Sequence, residues 1–334
     1  MAGAAAEYDI IVRMKKLRLK FIDFYDLPPE KLMFYRILRK SGYDIELCDD
    51  PDYVFDGGLG REHVNYDCVK ILCIGESCCP DFNAFDYAIG FDDLTFGDRY
   101  LRFPLYAMSR GCSRLSPEGF RLADSGMAPE SLLARDFCSF VVSNGGGDPA
   151  RFEFFRKLSK YKPVASGGGM LNNVGGRVPD KLAFVAKYKF NIAFENSCVP
   201  GYTTEKVMEP LVAHSVPIYY GNPRIAEDFN PACMVLVRSR DDMERAIEEI
   251  VALDRDDEAY LRRVCAPTCV HPLAWHEERL SAFLRQIFDQ PLERARRLNE
   301  YGYQVNVRRR MRRMCNLYEW TSPARLVKRI RRFF

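Results

Sequence analysis

Short apolar runs, separated by helix-like stretches and punctuated by glycine, recur along the first half of the chain. Runs of this length, rich in β-branched and aromatic residues and bounded by turn signals, read as buried strands. They predict strands at Leu17–Phe24, Ile45–Cys48, Tyr53–Phe55 and Val69–Ile74, the last ending at Gly75, and another at Phe137–Val142. A helix is expected over Pro28–Lys40, closing at Ser41-Gly42. The second half repeats the rhythm. Helices are expected from about Ala150 to Tyr161 and from Pro179 to Tyr188, then a strand Lys189–Phe194, a helix from about Thr203 to Ala213 and a strand Val216–Tyr220. A strand Met234–Val237 and helices over 240–254, 256–264 and 274–289 complete the pattern. Alternating strands and helices imply an α/β protein with parallel sheets covered on both faces, here in two copies. In such sheets sites lie at the carboxyl ends of strands, in the loops that lead into helices.

The length of 334 residues fits two domains of roughly 150 each. The reading is an N-terminal domain at 1–147, a second at 148–300 and a tail at 301–334. With 47% apolar and 28% charged residues the chain is globular, which excludes disordered and fibrous classes. No apolar run approaches the roughly 18–20 residues that a membrane helix needs. The opening MAGAAAEYDIIVRMKK lacks the apolar core of a secretory signal, so a cytoplasmic protein is expected. Twelve cysteines then read as reduced thiols rather than a disulfide framework. Cys265, Cys269, His271 and His276 are close in sequence, but their spacing matches no standard zinc pattern. Cys78-Cys79 lacks the C-x-x-C spacing of redox motifs.

The net charge of +3 hides an asymmetry: residues 301–334 carry ten Lys/Arg and one Glu, so the tail is +9 and the remaining 300 residues are −6. The tail has helical periodicity, with Val307, Met311, Met314 and Tyr318 flanked by Arg308, Arg309, Arg310, Arg312 and Arg313. After Thr321-Ser322-Pro323, a second stripe of Leu326, Val327, Ile330, Phe333 and Phe334 follows. Basic amphipathic helices suit an anionic membrane surface. Packing of the stripe on the protein body and binding of nucleic acid are the competing readings.

Candidate chemistry is densest where FNIAFENS is followed four residues later by YTTEK, and then by HSVPIYYG. A buried strand delivers Glu195, Asn196 and Ser197 to a loop, and Tyr202–Lys206 opens a helix. Backbone N–H groups at a helix start favour anions, and Lys206 adds a full charge, which suits a diphosphate. Glu205 beside it offers two acceptor oxygens to a sugar diol. A helix cap followed by a surface ion pair fits the same residues.

These motifs resemble the signature of the family 10 glycosyltransferases, the α-1,3/4-fucosyltransferases. The resemblance extends to GESCCPDFNAFDYAIGFDDLTFGDRYLRFPLY at 75–106, FVVSNGGGDPARFEFFRKLS, SGGGMLNNVGG and YGNPRIAEDFNP. It implies a GT-B fold of two facing Rossmann-like domains, to which the basic amphipathic helical tail is added. It also implies inverting transfer of L-fucose from GDP-fucose to an oligosaccharide acceptor, at the 3-hydroxyl (or the 4-hydroxyl) of GlcNAc or glucose in a β-galactoside. By resemblance Glu76 is the base, Arg151 and Lys206 hold the diphosphate, Tyr202 and Glu205 complete the donor site, and Asn196 contacts the donor cleft. No metal or other cofactor is expected, because Arg and Lys can stand in for a divalent ion on a diphosphate. Rival readings are a transferase using another GDP-deoxyhexose and a GDP-sugar-binding protein without transfer activity.

Three features depart from that pattern or stay ambiguous. Residues 107–136 match no signature of the family, and such loops often select the acceptor. The heptad repeats of some bacterial relatives are reduced to at most one degenerate copy at Leu298–Val307, which leaves a homodimer open. Ser166–Gly169 reads either as a phosphate loop or as a tight turn, and Asp50-Pro51-Asp52 as a turn rather than a metal motif. The expected place of the protein is peripheral, on the inner face of the membrane, with no nucleic-acid partner.

Overall fold

The structure, a computed structural model, describes residues 14–321. Six strands form the first sheet: β1 (Lys16–Ile22), β2 (Asp44–Leu47), β3 (Tyr53–Asp56), β4 (Val69–Cys73), β5 (Tyr87–Gly90) and β6 (Tyr100–Arg102), in the order β2-β1-β3-β4-β5-β6. β1 pairs in parallel with β2 and β3, and β3 with β4. The second sheet has five strands: β7 (Asp136–Phe140), β8 (Val164–Ser166), β9 (Tyr188–Phe194), β10 (Val216–Tyr220) and β11 (Val235–Leu236). Their order is β11-β10-β9-β7-β8, with every one of these pairs parallel. Every residue of β3, β4, β5 and β10 is buried, which is why β3, β4 and β10 read as short apolar runs instead of alternating.

Two compact units result. One runs from the start of the described chain to Cys73 and adds Pro80–Ala88 and the chain from Leu280 onward; the other comprises Ile74–Cys79 and Ile89–Arg279. This differs from the division at 147/148 read from the sequence. β7 lies before that point, yet pairs with β9 through Asp136–Tyr188 and Cys138–Phe190, so it belongs to the second sheet. The glycine loop after it is internal to that sheet's connections and not a linker. At the other end, the last turns of helix Leu273–Phe288 return to the first unit. Phe288 packs edge-on against Tyr53, with centroids 4.7 Å apart, and the Tyr43 hydroxyl donates to Asp289 at 2.6 Å.

In the second unit, Phe140, Phe154, Phe190 and Phe194 build the core between the sheet and helix Ala150–Leu158. Residues 105–133 form only short turns of helix, at Leu105–Met108, Arg110–Arg114, Leu122–Ser125 and Pro129–Leu133.

The tail forms a helix over Tyr303–Thr321. Met311, Met314 and Tyr318 of the expected stripe are 43%, 69% and 62% exposed, so within the described residues this face is not packed away. The second stripe, from Leu326 on, lies outside the described residues. No described helix is long and apolar enough to cross a membrane.

Candidate active site

In the second sheet the strand order reverses between β7 and β9, the switch point at which the loops after the two strands run to opposite faces. Ligands of open α/β sheets bind there, at the carboxyl ends of the strands. The loop after β7 leads to Arg151 and the loop after β9 carries Asn196, Tyr202, Glu205 and Lys206. Glu76 follows β4 and falls in the same compact unit as these five.

Arg151 sits in the first turn of helix Ala150–Leu158 and is fully buried. Its Nη1 donates to Asn196 Oδ1 at 3.2 Å and its Nη2 to the Asn144 carbonyl at 2.8 Å, while Nε has no partner among the described residues. No carboxylate stands within ion-pair distance of it there. Gly147 lies over the guanidinium: an added Cβ would come within 2.5 Å of Nη2. Burial holds the Arg151 pKa below its ordinary value and Asp148 offsets only part of that. A buried cation without a counter-charge is costly, and an anion relieves the cost. The neighbouring Asp148 is occupied elsewhere, accepting from the Ala150 N–H and from Arg240 Nη2, each at 2.9 Å.

Helix Glu205–Val212 begins two residues later than the sequence pattern places it. Thr204 is the cap, its hydroxyl accepting from the Lys206 N–H at 3.3 Å. The third helical position is Val207, so the reciprocal bond of a capping box is absent. Lys206 Nζ reaches Thr204 Oγ1 at 3.3 Å, Glu205 Oε1 at 3.4 Å and Glu195 Oε2 at 3.7 Å. Burial pushes the Glu205 carboxyl up, but Lys206 and Lys181 outweigh it and hold the group below the usual range.

Tyr202 is buried and meets Phe91 edge-on, with centroids 5.1 Å apart. Burial raises its phenol pKa, and Glu195, Glu76 and Glu205 add to the rise, which places the Glu76 carboxylate in the field of this ring. The preceding Gly201 has φ +82°, and a Cβ there would run into the Phe91 carbonyl, so only glycine fits. Asn222, itself buried, fixes this loop by accepting from the Gly201 N–H at 2.9 Å and donating to Thr203 Oγ1 at 2.9 Å. The Ser197 hydroxyl donates to that of Ser77 at 3.0 Å, tying the loop after β9 to the residue beside Glu76. Glu76 itself is exposed.

Glu195 is named in the sequence reading but given no role there. It ends the apolar run of β9 and is 1% exposed. Its carboxylate accepts from the Thr204 N–H at 2.8 Å and the Thr204 hydroxyl at 2.7 Å, and so locks the cap that presents Lys206. Its signal was an acid immediately after six buried strand residues. Burial raises its pKa from 4.5 to about 7, against the opposing pull of Lys206 and the two Thr204 bonds.

The native carboxyl therefore keeps a proton that the unfolded one has lost between pH 4.5 and about 7. Its contribution to stability is complete below the unfolded value and is lost as pH rises through about 7. Glu195→Gln, which cannot ionise, should gain on the wild type by on the order of 3 kcal/mol between pH 5 and 8. Only the difference isolates this effect. His214 and His276, both held near 4 chiefly by burial, tilt stability the other way as pH rises from about 4 to 6.5. Thermal unfolding of both proteins across this range checks the prediction, and parallel curves contradict it.

The glycines of Ser166–Gly169 serve packing. A Cβ at Gly168 would run into the Val142 backbone, and one at Gly167 would come within 2.8 Å of Val178. The cysteine–histidine group near 270 is not assembled: His276 Nε2 meets the Tyr106 hydroxyl at 3.2 Å and His271 stacks on Trp275. Among the described residues no group of three or more such side chains is placed to hold a metal.

Two parallel sheets of this kind, covered by helices, give the chain the GT-B fold. It aligns with a solved α1,3-fucosyltransferase with GDP-fucose at 29% identity, covering 86% of this chain and 94% of that one with a TM-score of 0.70. Residues 19–109 match the family model of the α-(1,3)-fucosyltransferase FucT N-terminal domain, and residues 134–264 that of the glycosyltransferase family 10 (fucosyltransferase) C-terminal region. The chain belongs to glycosyltransferase family 10. It is 36% identical over 268 residues to an α-(1,3)-fucosyltransferase FucT of Helicobacter pylori, an alignment covering 69% of this chain and 54% of the relative. The chain thus spans about half the length of that curated relative. It is also 36% identical over 144 residues to a GDP-fucose protein O-fucosyltransferase 3 of Bos taurus, covering 38% of this chain and 30% of the relative.

Proposed function

We propose that this chain transfers L-fucose from GDP-fucose, with inversion, to the 3-hydroxyl of GlcNAc or glucose in a β-galactoside glycan. The observation that carries the reading is Arg151, a buried cation without a carboxylate partner among the described residues, at the switch point of the second sheet. A nucleoside diphosphate supplies the missing charge. Lys206, held near the helix start by Thr204 and Glu195, adds a second cation for the charge that grows on departing GDP. Glu205 accepts hydroxyls of the nucleotide sugar, Tyr202 packs beside the donor, and Asn196 keeps the guanidinium oriented through Oδ1. Glu76 takes the acceptor proton as the hydroxyl attacks the anomeric carbon on the face opposite the leaving diphosphate. The transition state has oxocarbenium character, as in inverting glycosidases.

With two cations on the diphosphate, a divalent ion is dispensable, and transfer is expected to persist in EDTA. The exposed apolar stripe and the arginines of helix Tyr303–Thr321 support a peripheral seat on an anionic membrane surface. The test of the mechanism is product configuration by NMR. A β-configured donor should give an α-linked fucoside; a β-linked product overturns inversion, and equal use of a GDP-hexose bearing a 6-hydroxyl overturns the donor assignment.

A further inference from the structure

Helix Tyr303–Thr321, the segment ahead of it and β4 enclose a cavity of about 460 Å³ in the first compact unit, apart from the residues discussed above. Five cations line it: Lys70 from β4, Arg296, and Arg308, Arg309 and Arg312 from successive turns of the helix. Three acids line it too, but they are spent or turned away. The Asp86 carboxylate accepts the backbone N–H groups of Lys70 at 2.9 Å, Arg297 at 2.6 Å and Leu298 at 3.0 Å. Asp67 pairs with Arg296 at 3.6 Å from a side chain that is 97% exposed, and Glu300 is exposed.

Lys70 is 8% exposed, and its ammonium donates to the Tyr66 carbonyl at 2.9 Å. Arg308 donates to the carbonyls of Asn83 and Asn299. Among the described residues no carboxylate stands within 4 Å of the cationic nitrogens of Lys70, Arg308, Arg309 or Arg312. Burial lowers the Lys70 pKa; Asp86 works against that, and Arg308 adds to it. A desolvated lysine facing further cations across a cavity is costly unless an anion enters. Arginine forks around a lysine point charge are the arrangement that phosphate oxygens satisfy best. On the same helix Met311 lines the cavity and begins the exposed face of Met314, Leu317 and Tyr318.

We propose that this cavity is a phosphate-binding site, with Lys70 at its floor and Arg308, Arg309 and Arg312 closing on the phosphate oxygens. The phosphate is that of a lipid headgroup, whose chain lies along the Met311–Tyr318 face, or a free phosphate compound. The lipid form rests on the membrane reading above; the free form does not.

The test uses the full chain with GDP present in excess, so that the nucleotide site is filled. One arm measures co-sedimentation with phosphatidylcholine vesicles with and without phosphatidic acid. The other titrates inorganic pyrophosphate by calorimetry. Lys70→Met should weaken phosphatidic-acid binding by about twentyfold or more. The control Arg310→Ser, a helix cation outside the cavity lining, should cost about fivefold, the effect of one charge at an anionic surface. Lys70→Met losing no more than Arg310→Ser in the vesicle arm overturns the lipid form. If thermal unfolding shows that Lys70→Met does not fold, Arg312→Ser on the exposed rim carries the test and must exceed Arg310→Ser. Lys70-dependent pyrophosphate binding assigns a free phosphate compound, and Lys70 dependence confined to vesicles assigns the lipid. Dependence in neither arm refutes the proposal.

Discussion

Replacing Glu76 by Gln is expected to leave GDP affinity unchanged and to lower transfer by about 10²–10⁴, the contribution of a well-placed general base. The substitution keeps size and hydrogen-bonding capacity and removes only the ability to take a proton. Glu76 is exposed in the short segment after β4, and its charge reaches Tyr202 from there. A group with a purely structural role would show the opposite pattern, with altered melting and little change in turnover. Steady-state kinetics and GDP calorimetry on the same preparation separate the two. Normal turnover in Glu76→Gln removes it as base and moves attention to Asp92, whose Oδ2 is buried without a hydrogen-bond partner among the described residues and whose pKa burial raises.

Arg151→Met should lower transfer and donor affinity together, by on the order of 10²–10³ in rate, as removal of a preorganised charge does. Its effect on stability is the more diagnostic result. A buried guanidinium that makes two hydrogen bonds and no ion pair among the described residues costs the empty protein free energy. Methionine fills much of the same volume without that cost, so the empty variant should melt no lower than the wild type. GDP should then raise the melting temperature of the wild type and not of the variant. Were Arg151 an ordinary structural arginine, Arg151→Met would destabilise the empty protein while GDP still protected it. Thermal shift with and without GDP decides between these outcomes.

Much of the second unit was legible from the chain because its strands are buried on both faces. The runs at Phe137–Val142, Lys189–Phe194 and Val216–Tyr220 predict β7, β9 and β10 to within two residues at each end. β5, β6 and β8 escaped that reading, and β6 and β8 have only three residues each. The compact units differ from the division read at 147/148 for a different reason. Pairing of β7 with β9 is non-local, and a glycine loop inside a sheet has the same composition as a linker.

Arg151, Asn196, Tyr202, Glu205 and Lys206 are candidates because the two segments that carry them resemble the motifs of the family. Glu195 could not be given a role, since only the fold shows that its carboxylate turns inward to the Thr204 cap. Lys70 is the clearest limit of sequence reading. One lysine inside an apolar strand looks like a tolerated exception until helix Tyr303–Thr321 brings three arginines to the same cavity.

The most direct test of the central claim is mass spectrometry of the products formed from GDP-fucose with lactose, N-acetyllactosamine and its β-1,3 isomer. The account predicts a disaccharide acceptor heavier by one deoxyhexose, with an equivalent amount of GDP released. Saturable GDP-fucose binding with neither GDP release nor a fucosylated product would contradict it and leave a binding protein in its place.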